Sequence, residues 1–165
     1  MAAELGMYEN VIPLLVPADR TATATATPFV DLKSAHEMAF LVYFGALTGG
    51  SSGDTLAITV EAATAAASGS EAAVPFSYRK SGATGANSWG AVTAATATGM
   101  TLDESADDNK AVLIQIDPAA VQAAKEDARW VRLVLTPTAL YAASVGCVLA
   151  ILKPRYKQVD MVSAT

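Results

Sequence analysis

The sequence contains few of the residues that most often carry out chemistry, with one His and one Cys among 165 residues. A lone thiol forms no disulfide within the chain and builds no Cys-based zinc site. A catalytic triad would have to use His36 as its base, and no Ser lies in a G-x-S-x-G context before a helix. We therefore expect a protein that is not an enzyme and has no cofactor or metal. In this interpretation His36 is structural, and Cys147, within ASVGCVLAIL, is a buried small hydrophobe.

Charge is also scarce. Charged residues make up 16% of the chain, and the net charge is −5, whereas typical proteins carry about 25% charged residues. Binding to a phosphate backbone needs clustered Lys and Arg, and the one local basic cluster is KPRYKQ near the C-terminus. The composition therefore excludes nucleic acid as an expected partner. Aromatic residues are only 7%, and the abundance of Ala, Thr, Gly and Ser suggests thin β-layers whose surface is covered by neighbouring subunits.

Signals for export or membrane insertion are lacking as well. The N-terminal stretch MAAELGMYENVIPLLVP has no basic region and contains two Glu, which is not typical of a signal peptide. The longest apolar run, LYAASVGCVLAIL, has about 13 residues, too few to span a bilayer. We therefore expect a soluble protein made in a cytoplasm, without a membrane partner.

The sequence is rich in segments that alternate with a period of two. Examples are MAFLVYF, TLAITVE, AVLIQID, WVRLVL and SVGCVLAIL, which Gly-rich or polar turns separate. The first and last of these are apolar on both faces, so each is predicted to be covered on both sides. One helix signal is present, with Asp117 as N-cap and Pro118 at the first helical position. The spacing of roughly seven or eight strands predicts an all-β protein, an antiparallel β-sandwich of jelly-roll or Greek-key type with one short helix, over residues 29–165.

Residues 1–28 read differently. In RTATATATPFVDLK, Thr alternates with Ala, which is a strand-like period that buries little, and in NVIPLLVP the residues Pro13 and Pro17 exclude a central strand. We predict an extended N-terminal arm that lies on a neighbouring subunit or on a protein shell and adds a strand there. The predicted interface residues of this arm are Val11, Ile12, Leu14, Leu15, Val16, Thr23 and Thr25.

Two weaker signals for ligand binding remain. The carboxylates of DESADDN include Asp107 and Asp108, and spaced oxygen ligands of this kind suit Ca²⁺, although the EF-hand pattern is absent and a solvated turn between two strands explains them better. The loop SGATGANSWGAV carries Trp89, which together with Trp130 makes up all the tryptophan of the chain. An exposed aromatic near a loop is a feature of carbohydrate-binding modules.

Several motifs, in their order along the chain, resemble a known group of proteins. FVDLKSAHEMAFLVYFGAL is followed by YRKSGATGANSWGAV, by GMTLDESADDNKAVLIQIDPAAV and by ARWVRLVL. This succession resembles the core of small virion structural proteins of tailed bacteriophages, among them capsid decoration or cement proteins, and it covers roughly residues 29–135.

The resemblance implies a function that operates by contact. Such a protein sits on the outer surface of a phage head in the virion, after assembly in the host cytoplasm, and stabilises the head by bridging capsomers. Its implied partners are the major capsid protein and further copies of itself, with a trimer favoured. Two alternatives stay open: a subunit of the tail or the head–tail connector, and a carbohydrate- or calcium-binding β-sandwich adhesion module.

Overall fold

The computed structural model describes residues 10–19, 23–47, 55–67, 69–103, 106–137 and 145–155. These residues form two antiparallel sheets that pack against each other, which confirms the predicted all-β sandwich with one short helix. The elements within the described residues are β1 (Asn10–Asp19), β2 (Thr25–Ala26), β3 (Val30–Asp31), β4 (Ala35–Phe44), β5 (Thr55–Ala63), β6 (Ala72–Val74), β7 (Phe76–Lys80), β8 (Thr93–Ala95), β9 (Met100–Asp103), β10 (Ala111–Ile116), α1 (Pro118–Ala124), β11 (Trp130–Pro137) and β12 (Val145–Pro154).

The strand order is that of a jelly roll. One sheet, called here the β4 sheet, has the order β1-β12-β4-β10-β7-β8. The other, the β5 sheet, has the order β2-β11-β5-β6, with β3 also pairing with β11 and β9 also pairing with β5. Setting aside β1, β12 and the short β6, and counting β2 with β3 as one strand, leaves eight strands in two sheets of four, β4-β10-β7-β8 and β2/β3-β11-β5-β9. This is the order of a jelly roll, which consists of two Greek keys. One crossing between the sheets is at Pro75, between β6 in one sheet and β7 in the other.

The core forms where alternating side chains from the two sheets meet. On β4, Phe40, Val42 and Phe44 are fully buried, and on β11 the residues Val131 and Leu133 are buried in the same way. Successive side chains on a strand point to opposite faces, so these positions define the inner face of each sheet. Burying each large apolar side chain stabilises the fold by roughly 1.5–3 kcal/mol, which makes this inner layer the main source of stability.

Close packing at one position depends on the lack of a side chain. Gly146 of β12 lies in register with Phe44 of β4. A Cβ at Gly146 would collide with the Phe44 ring, so only glycine lets β12 approach that ring.

The helix begins as its sequence predicts. The Asp117 side chain accepts a hydrogen bond of 2.8 Å from the Ala119 N–H, and Pro118 follows the cap. Val121 is the residue that α1 buries, and the helix makes its principal contacts with β6. Seven residues are too few for an autonomous helix, so α1 is held by this packing at one end of the sandwich.

The N-terminal segment differs from the expectation of an arm reaching another subunit. Residues Asn10–Asp19 form β1 and pair antiparallel with β12 of the same chain. A proline at position 13 is compatible with the sheet because β1 is its edge strand. The pairing of β1 with β12 is irregular, with shifts in register between Pro13 and Leu15 and between Leu15 and Ala18. The edge position of β1 agrees with the expectation that its prolines exclude a central strand. The surface on which residues 10–19 lie is strand β12 of the same chain and not a neighbouring subunit.

The Thr-rich stretch also lies on the chain's own sandwich where it is described. Thr25 pairs in register with Leu135 of β11, and Val30 pairs with Val131. Between these two short pairings, the Leu133 N–H donates to Thr27 Oγ1 at 3.0 Å and the Thr27 N–H donates to the Leu133 carbonyl at 2.8 Å. Thr27 thus joins β2 and β3 into one interrupted edge strand.

Packing of β1 on the sandwich predicts unequal effects of two neighbouring substitutions. Leu14 is 8% exposed and belongs to the core, whereas Val16 is 69% exposed. We expect Leu14→Ala to lower the free energy of unfolding by about 2 kcal/mol, because it leaves a cavity. The matched control Val16→Ala should change it by less than about 0.5 kcal/mol. Urea unfolding of both variants measures the difference, and equal effects would contradict the placement of Leu14 in the core.

Candidate functional site

The outer face of the β4 sheet is apolar over its central strands. Its outward-facing residues there, which we call the apolar face, are Ala39, Leu41 and Tyr43 on β4, Leu113 on β10, and Cys147, Leu149 and Ile151 on β12. Leu41 lies directly between Leu113 and Leu149 in the strand register. Paired residues share a face of the sheet and touch their neighbours across the strands, so these leucines form one continuous apolar row.

The row continues to the edge strand β1. Pro13 lies opposite Leu149 and Val11 lies opposite Ile151 in the register. Val11 is 44% exposed, and Tyr43, at the other end of the β4 stretch, is 43% exposed. The leucines of the row, Leu41, Leu113 and Leu149, are half-buried, so the centre of the face is partly open to solvent and its margins at Val11 and Tyr43 are exposed.

Charged groups lie only at the rim of the apolar face within the described residues. At one end, Lys153 Nζ lies 3.5 Å from Glu37 Oε1. On the far side, Arg79 of β7 lies opposite Leu113, and its Nε is buried without a hydrogen-bond partner in the described structure. A buried N–H of a guanidinium without an acceptor is costly, which singles out Arg79 as a donor at this rim that lacks one bond.

The outer face of the β5 sheet is different, because its charges satisfy one another. Arg132 Nε lies 2.7 Å from Glu61 Oε2, and Arg132 Nη2 lies 2.8 Å from Glu71 Oε1. The same guanidinium lies 4.7 Å from the centre of the Phe29 ring. The backbone N–H groups of Glu71 and Gly69 lower the pKa of Glu71 below its usual value. Among the described residues, the outer face of the β4 sheet is thus apolar at its centre and that of the β5 sheet is not.

The acidic turn after β9 is built into the fold. Asp107 is 3% exposed. Its Oδ2 lies 2.6 Å from Lys80 Nζ and accepts from the Asp103 N–H at 2.9 Å, while its Oδ1 lies 3.7 Å from Lys110 Nζ. Asp108 Oδ1 accepts from the Leu47 N–H at 2.6 Å. These carboxylates hold the turn against β7 and against the segment after β4, so Asp107 is not the solvated side chain that the sequence suggested.

No metal-binding group of three or more His, Cys, Asp or Glu side chains occurs among the described residues. His36 is exposed at the start of β4. Cys147 is half-buried on the apolar face, whereas the sequence predicted it to be buried. Its strand is apolar on both faces, and Cys147 falls on the outward one.

Of the two tryptophans, one is exposed and one is shielded. Trp89 is 42% exposed in the Gly-rich loop, where it forms an isolated antiparallel bridge with Ser81. Trp130 is half-buried, with the Arg129 guanidinium 5.3 Å from the centre of its ring. Trp89 is thus the tryptophan that a ligand from solution would contact.

An open groove lies at the helical end of the sandwich. Its volume is about 460 Å³, and its lining includes Phe76, Ala95, Gln115, Asp117 and Ala120. The one carboxylate among these, Asp117, already accepts the capping hydrogen bond of α1. The lining therefore offers little convergent polar chemistry for a small ligand.

Some of the residues predicted for an N-terminal interface face the core of the chain, and others lie at its surface. Leu14 is buried, and Ile12 and Leu15 pack against the core of the same chain. Val11, Val16 and Thr23 lie at the surface, while Thr25 is half-buried and donates a hydrogen bond of 3.3 Å to the Thr23 carbonyl. The structure brings only Val11 of this set next to the apolar face. Sequence reasoning did not identify that face as a site, although the two-sided apolar pattern of β4 and β12 already indicated it.

Comparison of the chain with family models, with curated proteins and with solved structures found no match in any of the three. Within the described ranges, no helix has the length and apolarity needed to cross a membrane.

The buried turn predicts a structural role for Asp107. We expect Asp107→Ala to lower the free energy of unfolding by about 2–3 kcal/mol, because Lys80 loses its partner and the Asp103 N–H loses its acceptor. Glu126→Ala, at an exposed position, serves as the control and should leave stability nearly unchanged.

Adding millimolar Ca²⁺ to the unaltered protein should not raise its melting temperature, and a clear rise would show that the turn binds the ion.

Proposed function

We propose that this chain is a structural subunit of a tailed-bacteriophage virion, a capsid decoration or cement protein that binds the outer surface of the head. The observation that carries the proposal is the apolar face, a broad charge-poor surface at the centre of a rigid sheet. Contiguous exposed apolar surface marks sites of protein association. The resemblance of the sequence motifs supplies the virion context, since a jelly roll by itself serves many functions.

The mechanism of such a subunit is burial of surface. A protein that binds the assembled shell and not the free capsid protein stabilises the shell by mass action. Each copy also bridges neighbouring capsomers, and a second contact made by a bound copy benefits from a high effective concentration. The partners are the major capsid protein and other copies of this chain, with a homotrimer favoured by the resemblance alone. A tail or connector subunit would use the same physical chemistry on a different partner.

Addition to undecorated heads tests the proposal. Heads are assembled from the major capsid protein of the genome that encodes this chain, without the chain, and purified protein is then added. We expect saturable co-sedimentation with heads, no binding to unassembled capsid protein, and a higher temperature of head disruption in the decorated particles.

Two results would contradict decoration. A source genome without a capsid gene removes the partner altogether. Binding to isolated tails or connectors, with none to heads, would assign the chain to the alternative position in the virion.

The exposed Trp89 supports one second candidate, a carbohydrate-binding module of an adhesion protein. Sugars stack on exposed aromatic rings, so binding near Trp89 would change its fluorescence. We expect the spectrum to stay constant when oligosaccharides from bacterial surface polysaccharides are added. The variant Trp89→Phe separates the signal of Trp89 from that of Trp130, and a saturable change that this variant abolishes would favour the adhesion module over decoration.

A further inference from the structure

We propose that a pocket beside α1, called here the basic pocket, binds the acidic stretch that precedes β1, residues 1–9 of the same chain. The rim of this pocket carries Lys33, Arg129 and Arg155. Residues 1–9 lie outside the described residues, whereas every residue that lines the pocket is described. The inference does not rest on the proposed function, because it concerns a contact within one molecule.

The floor of the basic pocket is apolar. The pocket has a volume of about 290 Å³ and lies between α1 and the segment that joins β3 to β4. Ala35, Val121 and Ala128 are buried, and Leu32 packs against the core. A concave site with an apolar lining and a few polar groups at its margin is suited to binding a ligand. Its ligand must therefore supply apolar side chains for the floor and acceptors for the rim.

Three cations form the rim, in a chain whose net charge is −5, and the lining contains no carboxylate. Arg129 is paired with Asp31, which also accepts a hydrogen bond of 2.8 Å from the Lys33 N–H. The Lys33 side chain is exposed, and the Arg155 Nε donates to the Ala35 carbonyl at 3.1 Å. Within the described residues, neither Lys33 nor Arg155 has a carboxylate at ion-pair distance. Two of the three cations can therefore bind carboxylates from elsewhere.

The strand register brings the start of β1 to the same end of the molecule. Asn10 pairs with Leu152 of β12. Two residues further along β12, Pro154 pairs with Ala35 at the start of β4, and Arg155 follows it directly. Two strand spacings separate β1 from β4, about 10 Å, whereas nine extended residues span up to about 30 Å. The stretch before β1 therefore reaches the basic pocket without crossing the sandwich.

Residues 1–9 have the composition that the pocket requires. They include no Lys or Arg, and they combine acidic with apolar side chains, at Glu4, Leu5, Met7, Tyr8 and Glu9. The stretch that follows Arg155, residues 156–165, contains one Lys and one Asp, so its side chains carry no net charge. Charge complementarity therefore favours residues 1–9. Their short connection to β1 also gives an effective concentration on the order of millimolar, at which weak contacts suffice.

Proteolysis after Glu4 tests the contact in the full chain. A glutamate-specific protease cleaves there only while the stretch is released from the pocket, so the rate follows the released fraction. Each rate is divided by the rate for a free peptide of residues 1–12 under the same conditions. We expect the unaltered protein to be cleaved at least about tenfold more slowly than the peptide.

One substitution and one change of solvent then identify the pocket as the binding site. Lys33→Gln removes an exposed rim charge and should raise the cleavage rate about threefold, the effect expected of one exposed ion pair. The matched control Lys125→Gln removes a charge that does not line the pocket and should leave the rate unchanged. Circular dichroism checks that both variants are folded. Sodium chloride at about 0.5 M, where the Debye length is about 4 Å, should bring the unaltered protein close to the peptide rate without any substitution.

Three results would overturn the proposal. Cleavage at the peptide rate would leave the pocket to residues 156–165 or to a ligand from solution. Protection that neither Lys33→Gln nor salt weakens would place the stretch elsewhere on the molecule. Protection that is lost on dilution would place it on a second copy of the chain. None of these results bears on binding to heads, so decoration is judged separately by the co-sedimentation experiment.

Discussion

The strict alternation of side chains along a β-strand is the constraint on which the rest of this structure depends. Strand β4 is apolar at nearly every position of its second half, and alternation sends Phe40, Val42 and Phe44 to one side and Leu41 and Tyr43 to the other. One side finds its partner in the β5 sheet. The side chains on the other side stay on the surface of the chain. There the neighbouring strands β10 and β12 add further apolar side chains in register with them. The sandwich and the apolar face thus have the same origin.

The two outer faces show that this surface is a property of one sheet and not of the composition. On the β5 sheet, the corresponding central position is Arg132, and its charge is matched by two glutamates in direct contact. A satisfied ion-pair network is compatible with water and gives little reason for association. The β4 sheet has apolar side chains where the β5 sheet has this network. The two sheets therefore differ at the centres of their outer faces, and the apolar centre of the β4 sheet is the one suited to contact.

Local pattern was enough to predict the elements that depend on local pattern. The alternating segments became strands, and Asp117 with Pro118 began the helix. The number of strands was underestimated, because β2 and β3 form one interrupted edge and the chain changes sheet at Pro75 between β6 and β7. Short strands of two or three residues have no period that a sequence can display.

Partners distant in sequence could not be predicted in this way. The prolines of β1 correctly excluded a central strand, but only the fold shows that β12 offers an edge to it. The burial of Asp107 depends on Lys80, which lies on another strand, 27 residues away. The apolar face was visible as a two-sided pattern in β4 and β12. Its extent could not be foreseen, since it requires the register that brings Leu41 between Leu113 and Leu149.

The pairing of β1 with β12 also has a consequence for the timing of folding during synthesis. The first strand of the described residues lies against the last of them, so β1 cannot pair until β12, more than 120 residues later in the sequence, has been made. Pairing of such distant segments is slow, because the closing loop is long. Strand β12 also supplies Leu149 and Ile151, so the apolar face is incomplete until β12 has left the ribosome. A nascent chain without β12 therefore presents only part of the apolar face, which delays association through that face until β12 has been made.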